Sequence, residues 1–124
     1  MLRKLAASAG ILVLLGAGAA TLAQTKGPNG GMVAGSGHHK AELVVTPTQL
    51  TIYLLDDGQA HGTKGTKLRA IVQQAGKSKT ISLVDQGGKR LVGKLDAPLA
   101  KGAIVVVTGK DDHGDQLNAR YVIP

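Results

Sequence analysis

Residues 30–45 decide the fold, and they have the sequence GGMVAGSGHHKAELVV. The stretch begins with glycines, passes through a histidine pair and ends in an apolar segment. In that last segment Ala41, Leu43 and Val45 alternate with other side chains, which predicts a β-strand with one face in a core. A glycine-rich entry, two histidines and a strand can form a metal-binding edge. They can equally be a lead-in to an ordinary β domain, and both interpretations stay open at this point.

Six further segments after residue 45 have the composition or alternation of strands, and turn-forming glycine, proline and aspartate separate them. These segments are 50–55, 68–73, 80–84, 90–95, 103–108 and 117–123. Short strands at regular spacing in about 100 residues predict an all-β domain. The sequence therefore predicts about seven antiparallel strands in an immunoglobulin-like sandwich, with a small β-barrel as the alternative.

The N-terminus has the order of a secretory signal peptide. Arg3 and Lys4 precede an apolar segment centred on residues 11–15, and small residues follow as far as Ala23. We expect cleavage after residue 23 and a periplasmic or secreted protein with no membrane insertion afterwards. An uncleaved membrane anchor is the alternative, although three glycines dilute the apolar segment.

The predicted organisation has three parts. They are a signal peptide over 1–23, a glycine-rich flexible arm over 24–39 and a β-sandwich domain over 40–124. Within the arm, Met32 and Val33 can make a short edge pairing. The chain has no cysteine, phenylalanine or tryptophan, so packing of Val, Leu, Ile and Ala must stabilise the domain without disulfides.

The charge pattern argues against a nucleic-acid partner. The formal net charge of the chain is +7, but the lysines are scattered singly along it. Proteins that bind single strands stack bases on exposed aromatic side chains, and aromatic residues make up only 2% of this chain. The charge is best interpreted as a mildly cationic, soluble surface.

Enzyme motifs are weak, and the sequence predicts a non-enzymatic protein. Ser36 lies between two glycines, but it falls in the predicted arm, whereas a nucleophile elbow needs a strand-to-helix turn. The carboxylate pairs 56–57 and 111–112 lie in predicted turns, where aspartate is expected for local hydrogen bonding.

Metal ligation is the sharper possibility, because imidazole is the commonest metal ligand and suits copper, zinc and nickel. The candidate ligands are the four histidines and the single glutamate, namely His38, His39, Glu42, His61 and His113. Met32 adds a soft ligand for reduced copper. On a regular strand His38 and Glu42 would face one side, about 13 Å apart, and His39 would face the other. A site therefore needs either a non-extended His38–His39 segment or a ligand from another strand, for which His61 and His113 are the available partners. Otherwise these histidines are ordinary solvated residues.

Several motifs resemble those of a family of small exported bacterial proteins associated with heavy-metal resistance. The motifs are PNGGMV at 28–33, GHHKAELVV at 37–45, YLLDDGQ at 53–59, GTKG at 62–65, RLVGKL at 90–95 and PLAKGA at 98–103. The pattern is also similar to the β domain of some periplasmic adaptor subunits of metal-efflux pumps. Members often carry a histidine just before the Gly-Gly pair, where this chain has Asn29, a far poorer metal ligand.

The resemblance implies a periplasmic accessory protein of metal homeostasis that binds or buffers copper or a divalent transition metal. It implies copper, zinc or nickel as the ion, and an efflux adaptor or another envelope protein as the partner. The alternative is a non-catalytic interaction module that docks an envelope partner without metal, with the glycine-rich arm adding to the partner's sheet edge.

Overall fold

The computed structural model describes residues 24–124, which form strands and turns. No helix forms over these residues, so none there is long and apolar enough to span a membrane. The predicted signal peptide, residues 1–23, lies outside the described residues. The predicted all-β class is confirmed, and the two antiparallel sheets do not close into a barrel.

Eleven strands form in the part of the chain that the structure describes. They are β1 (Thr25–Lys26), β2 (Met32–Ser36), β3 (His39–Val45), β4 (Gln49–Asp56), β5 (Gln59–His61), β6 (Lys67–Gln74), β7 (Lys77–Ser82), β8 (Val84–Gln86), β9 (Arg90–Lys94), β10 (Ile104–Lys110) and β11 (Gln116–Val122). The seven predicted strands correspond to β3, β4, β6, β7, β9, β10 and β11, and four short strands are additional.

One sheet has the order β1-β2-β3-β4-β9-β8, with β5 also paired to β4, and the other has the order β11-β10-β6-β7. If the seven predicted strands are counted in sequence order, the first sheet contains the first, second and fifth of them, which are β3, β4 and β9. The second sheet contains the seventh, sixth, third and fourth, which are β11, β10, β6 and β7. An immunoglobulin constant-type sandwich places the fourth strand in the first sheet. Here β7 instead continues the second sheet, because the tight Ala75–Gly76 turn, with both residues at positive φ, pairs it directly with β6.

The core lies between the inner faces of the two sheets and follows the period of two. Its buried side chains are almost all aliphatic, as predicted, and include Ala41, Leu43, Leu50, Ile52, Leu54, Ala70, Val72, Leu91, Val105, Val107 and Ala119. The fully buried Tyr121 is the aromatic member.

Tyr121 connects the two sheets directly. Its hydroxyl donates a hydrogen bond to the backbone carbonyl of Ala41, at 2.6 Å, and so joins β11 to β3. Burial raises the pKa of the Tyr121 phenol far above its ordinary value, and the nearby Glu42 carboxylate adds to that rise. The hydroxyl is therefore a permanent donor under ordinary conditions.

Residues 24–39 differ from the predicted flexible arm, since they extend the first sheet through β1 and β2, and His39 already belongs to β3. The reason is a close backbone approach that only glycine allows. A Cβ on Gly31 would lie 2.3 Å from the carbonyl oxygen of Leu43, so the missing side chain lets this segment lie directly against β3. The predicted edge pairing of Met32 and Val33 is part of β2.

Candidate metal-binding site

His39 begins β3 on the inner side of its sheet. It shares the pleat parity of Ala41 and Leu43, whose side chains are fully buried in the core. Because His39 is the first residue of the strand, this parity directs its half-exposed imidazole across the sandwich at the edge of the core. There it meets the loop between β10 and β11.

The loop over residues 111–115 is folded around Asp111, which is only 7% exposed. Its Oδ1 accepts hydrogen bonds from the backbone N–H groups of His113, at 2.9 Å, and Asp115, at 2.8 Å. The backbone N–H of Asp111 donates to the carbonyl of Asp115, at 2.9 Å. These bonds fix the loop and leave the second carboxylate oxygen of Asp111 available.

Asp111 and Asp115 both face His39. The Oδ2 atom of Asp111 lies 3.6 Å from Nδ1 of His39, and Oδ2 of Asp115 lies 3.9 Å from Nε2. One ligand atom from each of the three residues can be chosen so that all lie within 4.8 Å of one another. We call His39, Asp111 and Asp115 the inner site.

A second group of side chains involves Asp112 and His113 of the same loop, together with His61. The Oδ1 atom of Asp112 is 3.1 Å from Nε2 of His61 and 3.5 Å from Nδ1 of His113. The two imidazole rings are tilted with their centroids 6.1 Å apart. The hydrogen bond from His61 lowers the pKa of the Asp112 carboxyl below its ordinary value. We call His61, Asp112 and His113 the outer site.

Strand β5 is what brings His61 to this loop. Although β5 has only three residues, it pairs with β4 so that His61 lies opposite Leu54. The following segment then passes Asp112, since a Cβ on Gly65 would lie 3.5 Å from the Cβ of Asp112. Two loops that are far apart in the sequence therefore meet beside the inner site.

His38 has a different environment from His39. Its exposed imidazole forms a hydrogen bond and ion pair with Asp57, in the β4–β5 turn, and this contact raises the pKa of His38. The backbone N–H of Asp57 also donates to the carbonyl of His38, at 3.0 Å. Among residues 24–124, the groups of three or more clustered metal-ligand side chains do not include His38.

Glu42 holds the N-terminal segment in place. It lies on the outer face of β3, opposite in parity to His39, and is fully buried beneath residues 27–31. Its carboxylate accepts hydrogen bonds from the backbone N–H of Gly31, at 2.7 Å, the backbone N–H of Asn29, at 2.9 Å, and the Asn29 side-chain amide, at 2.9 Å. The structure does not bring Glu42 to the histidines.

Met32 has a packing environment that differs from that of the metal-ligand groups. Its side chain packs against the hydrophobic core, and its sulfur accepts a hydrogen bond from the Gln24 amide at 2.9 Å. This position explains a packing role for the thioether.

Comparison with protein-family models, with curated proteins and with solved structures finds no match to this chain. The site must therefore be interpreted from its own chemistry.

The three aspartates of the loop are the candidate ligands that sequence reasoning missed. Asp111 and Asp112 were assigned to a turn, and Asp111 does organise that turn. The overlooked pattern is the sequence DDHGD at 111–115, which places three carboxylates and an imidazole in one short loop. Aspartate and histidine side chains together bind borderline divalent ions, so this density of ligands was the available clue.

Proposed function

We propose that this chain is a non-catalytic protein that binds a divalent transition-metal ion at the inner site. The observation that supports this is the convergence of His39, Asp111 and Asp115 to within 4.8 Å. These residues come from segments about seventy positions apart, so the cluster is a product of the fold. One imidazole and two carboxylates suit Zn²⁺, Cu²⁺ or Ni²⁺ better than the softer Cu⁺.

The spacing requires only a small adjustment on binding. Bond lengths of about 2.0–2.2 Å to nitrogen and oxygen place neighbouring ligand atoms of a tetrahedral ion about 3.4 Å apart. Asp111 and Asp115 now face different nitrogens of His39, at 3.6 and 3.9 Å. Asp115 is 62% exposed, so its side chain can rotate toward the nitrogen that Asp111 faces while the buried Asp111 stays fixed.

The proposed setting is the bacterial periplasm. The signal-peptide pattern and the resemblance to exported metal-resistance proteins support a role in binding or buffering the ion, and transfer to an efflux adaptor is the natural extension. Ligation alone performs this role, and no bond in a substrate is made or broken.

Calorimetric titration tests the proposal on protein purified after expression of the full chain. We expect a dissociation constant of micromolar or tighter for at least one of Zn²⁺, Cu²⁺ and Ni²⁺, equivalent to about 8 kcal/mol of binding free energy. His39→Ala should weaken binding at least tenfold. His38→Ala is the matched control, since it removes the adjacent imidazole outside the site. Equal binding by both variants, or no binding by the wild type, refutes the proposal.

An interaction module is the second candidate, and the open side of the sandwich favours it. Among the strands of residues 24–124, β7 pairs only with β6, and a groove runs between β7 and the β8–β9 hairpin. Val84 in that groove is 64% exposed, the one exposed large hydrophobic residue among those described. Lys79 and Lys94 also line it. Asp96 lines the groove as well and already pairs with Lys79. An extended, acidic segment of an envelope protein fits this edge, because it can add a strand and pair with Lys94.

Thr80→Pro tests this candidate. Lys77 forms the hydrogen-bonded pair that closes the β6–β7 hairpin, so by alternation the backbone N–H of Thr80 points to the open edge. Proline there removes a donor for an added strand without removing a bond to β6. Capture of a periplasmic partner that is lost in Thr80→Pro and unaffected by chelator supports the module; capture that persists in the variant contradicts it.

A further inference from the structure

We propose that the outer site binds a second divalent transition-metal ion, beside the ion of the inner site. The inference rests on the proposed function, since it assumes that this end of the sandwich binds metal. The ligands are Nε2 of His61, Oδ1 of Asp112 and Nδ1 of His113. Two imidazoles and one carboxylate form a ligand set for Zn²⁺, Cu²⁺ or Ni²⁺.

The geometry around Asp112 supports this assignment. Both imidazole nitrogens approach one and the same carboxylate oxygen, at 3.1 and 3.5 Å. These two separations bracket the value of about 3.4 Å expected between neighbouring ligand atoms of a tetrahedral ion. The two imidazoles are farther from each other, since the groups whose ligand atoms all lie within 4.8 Å include Asp112 and His113 but not His61. His113 is 66% exposed, so its ring can turn toward an ion held by His61 and Asp112.

The two sites can use separate ligands because both carboxylate oxygens of Asp111 already have other neighbours. Asp111 has a ligand atom within 4.8 Å of those of Asp112 and His113, so sharing must be considered. However, Oδ1 of Asp111 already accepts two backbone N–H bonds inside the loop, and Oδ2 faces His39. A second ion can therefore use Asp112 without displacing Asp111.

The sites differ in charge and access, which predicts different behaviour. The two carboxylates of the inner site neutralise a divalent ion, and one of them is buried. The single carboxylate of the outer site leaves one positive charge. Each site has three protein ligands and therefore an open coordination position, so the net charge is the main difference between them. The outer ion should consequently bind more weakly and exchange first with an added chelator.

Ion counting by native mass spectrometry tests the inference, with Zn²⁺ added to metal-stripped protein from the full chain. We expect two ions per wild-type chain, two for the control His38→Ala and one for His39→Ala. One ion is also expected for the double variant His61→Ala/His113→Ala. Asp112→Asn repeats that test with a substitution of nearly the same shape, in case the double variant does not fold. A competing chelator should remove the ion retained by His39→Ala before the ion retained by the double variant.

The outcomes separate this inference from the proposed function. A single wild-type ion that is lost in His39→Ala refutes the second ion and leaves the proposed function standing. Two ions that persist in the double variant and in Asp112→Asn also refute the outer site. A wild type that binds no ion refutes both.

Discussion

Replacement of Glu42 by glutamine should undock the N-terminal segment without affecting metal binding. The carboxylate accepts three N–H donors from Asn29 and Gly31 at 2.7–2.9 Å, within a fully buried environment. Glutamine has nearly the same shape, but its amide NH₂ must face at least one of these donors. Losing one charge-assisted hydrogen bond to this buried carboxyl position costs about 1.5–3 kcal/mol.

Urea unfolding measures this cost as a change in the free energy of unfolding. Amide hydrogen exchange then locates it: the Gly31 amide should lose protection, while amides of the central strand β10 keep protection close to their global limit. Asn29→Ala is the matched control. It removes only the side-chain donor, and we expect a loss of about 1 kcal/mol.

Two results would refute this reasoning. One is a Glu42→Gln variant within about 0.5 kcal/mol of the wild type with the Gly31 amide still protected. The other is loss of Zn²⁺ binding in that variant, because Glu42 would then belong to the metal site. We expect the variant to bind Zn²⁺ as the wild type does.

The remaining predictions concern Tyr121 and Gly109. Tyr121→Phe should lower the free energy of unfolding by about 0.5–1.5 kcal/mol, since the buried hydrogen bond from the hydroxyl to the Ala41 carbonyl is lost; urea unfolding at pH 7 measures this, and an unchanged midpoint contradicts it. The folded-state pKa of Tyr121 is raised, so the protonated phenol contributes fully to the free energy of unfolding below the unfolded-state pKa of about 10. This contribution is lost as the pH rises above that value, at up to about 1.4 kcal/mol per pH unit. Unfolding curves from about pH 9 to about pH 11, one unit either side of the ordinary tyrosine pKa, should show this slope in the wild type and a flatter one in Tyr121→Phe. Gly109→Ala should destabilise by well over about 1 kcal/mol, because Gly109 has φ +146° and a Cβ would lie 2.0 Å from the carbonyl oxygen of Lys67; a thermal midpoint equal to the wild type would refute the packing.

Alternation in the sequence predicted the long strands because each buries one side of its pleat. Ala41 and Leu43 face the core as the period of two requires. The short strands were harder to predict, since β1, β5 and β8 have only two or three residues and carry no measurable period. Their pairing depends on turns and on close approach at glycine, which alternation does not report.

The candidate site was predictable only in part. From the alternation of a strand alone, His39 is predicted to face the opposite side from His38 and Glu42. The structure has Glu42 on the face opposite His39. The partners of His39 come from the loop between the last two strands, and their position depends on how the two sheets stack. His61 likewise meets Asp112 through the pairing of β5 with β4. Such long-range contacts leave no local pattern in one sequence.

The side chain of Gln24 has a consequence for how the chain can be rearranged. Its amide donates to the carbonyl of Val122, at 2.8 Å, and accepts from the N–H of the same residue, at 3.2 Å, so the two ends of the described chain lie side by side. A short linker from Pro124 to Gln24 could join them while every strand pairing stays in place. New ends could then be opened at the exposed Ala75–Gly76 turn. In such a circular permutant β6 and β7 would become the terminal strands. Residues 103–124 and 24–65, which build the end of the sandwich that carries His39, would then follow one another directly in the chain.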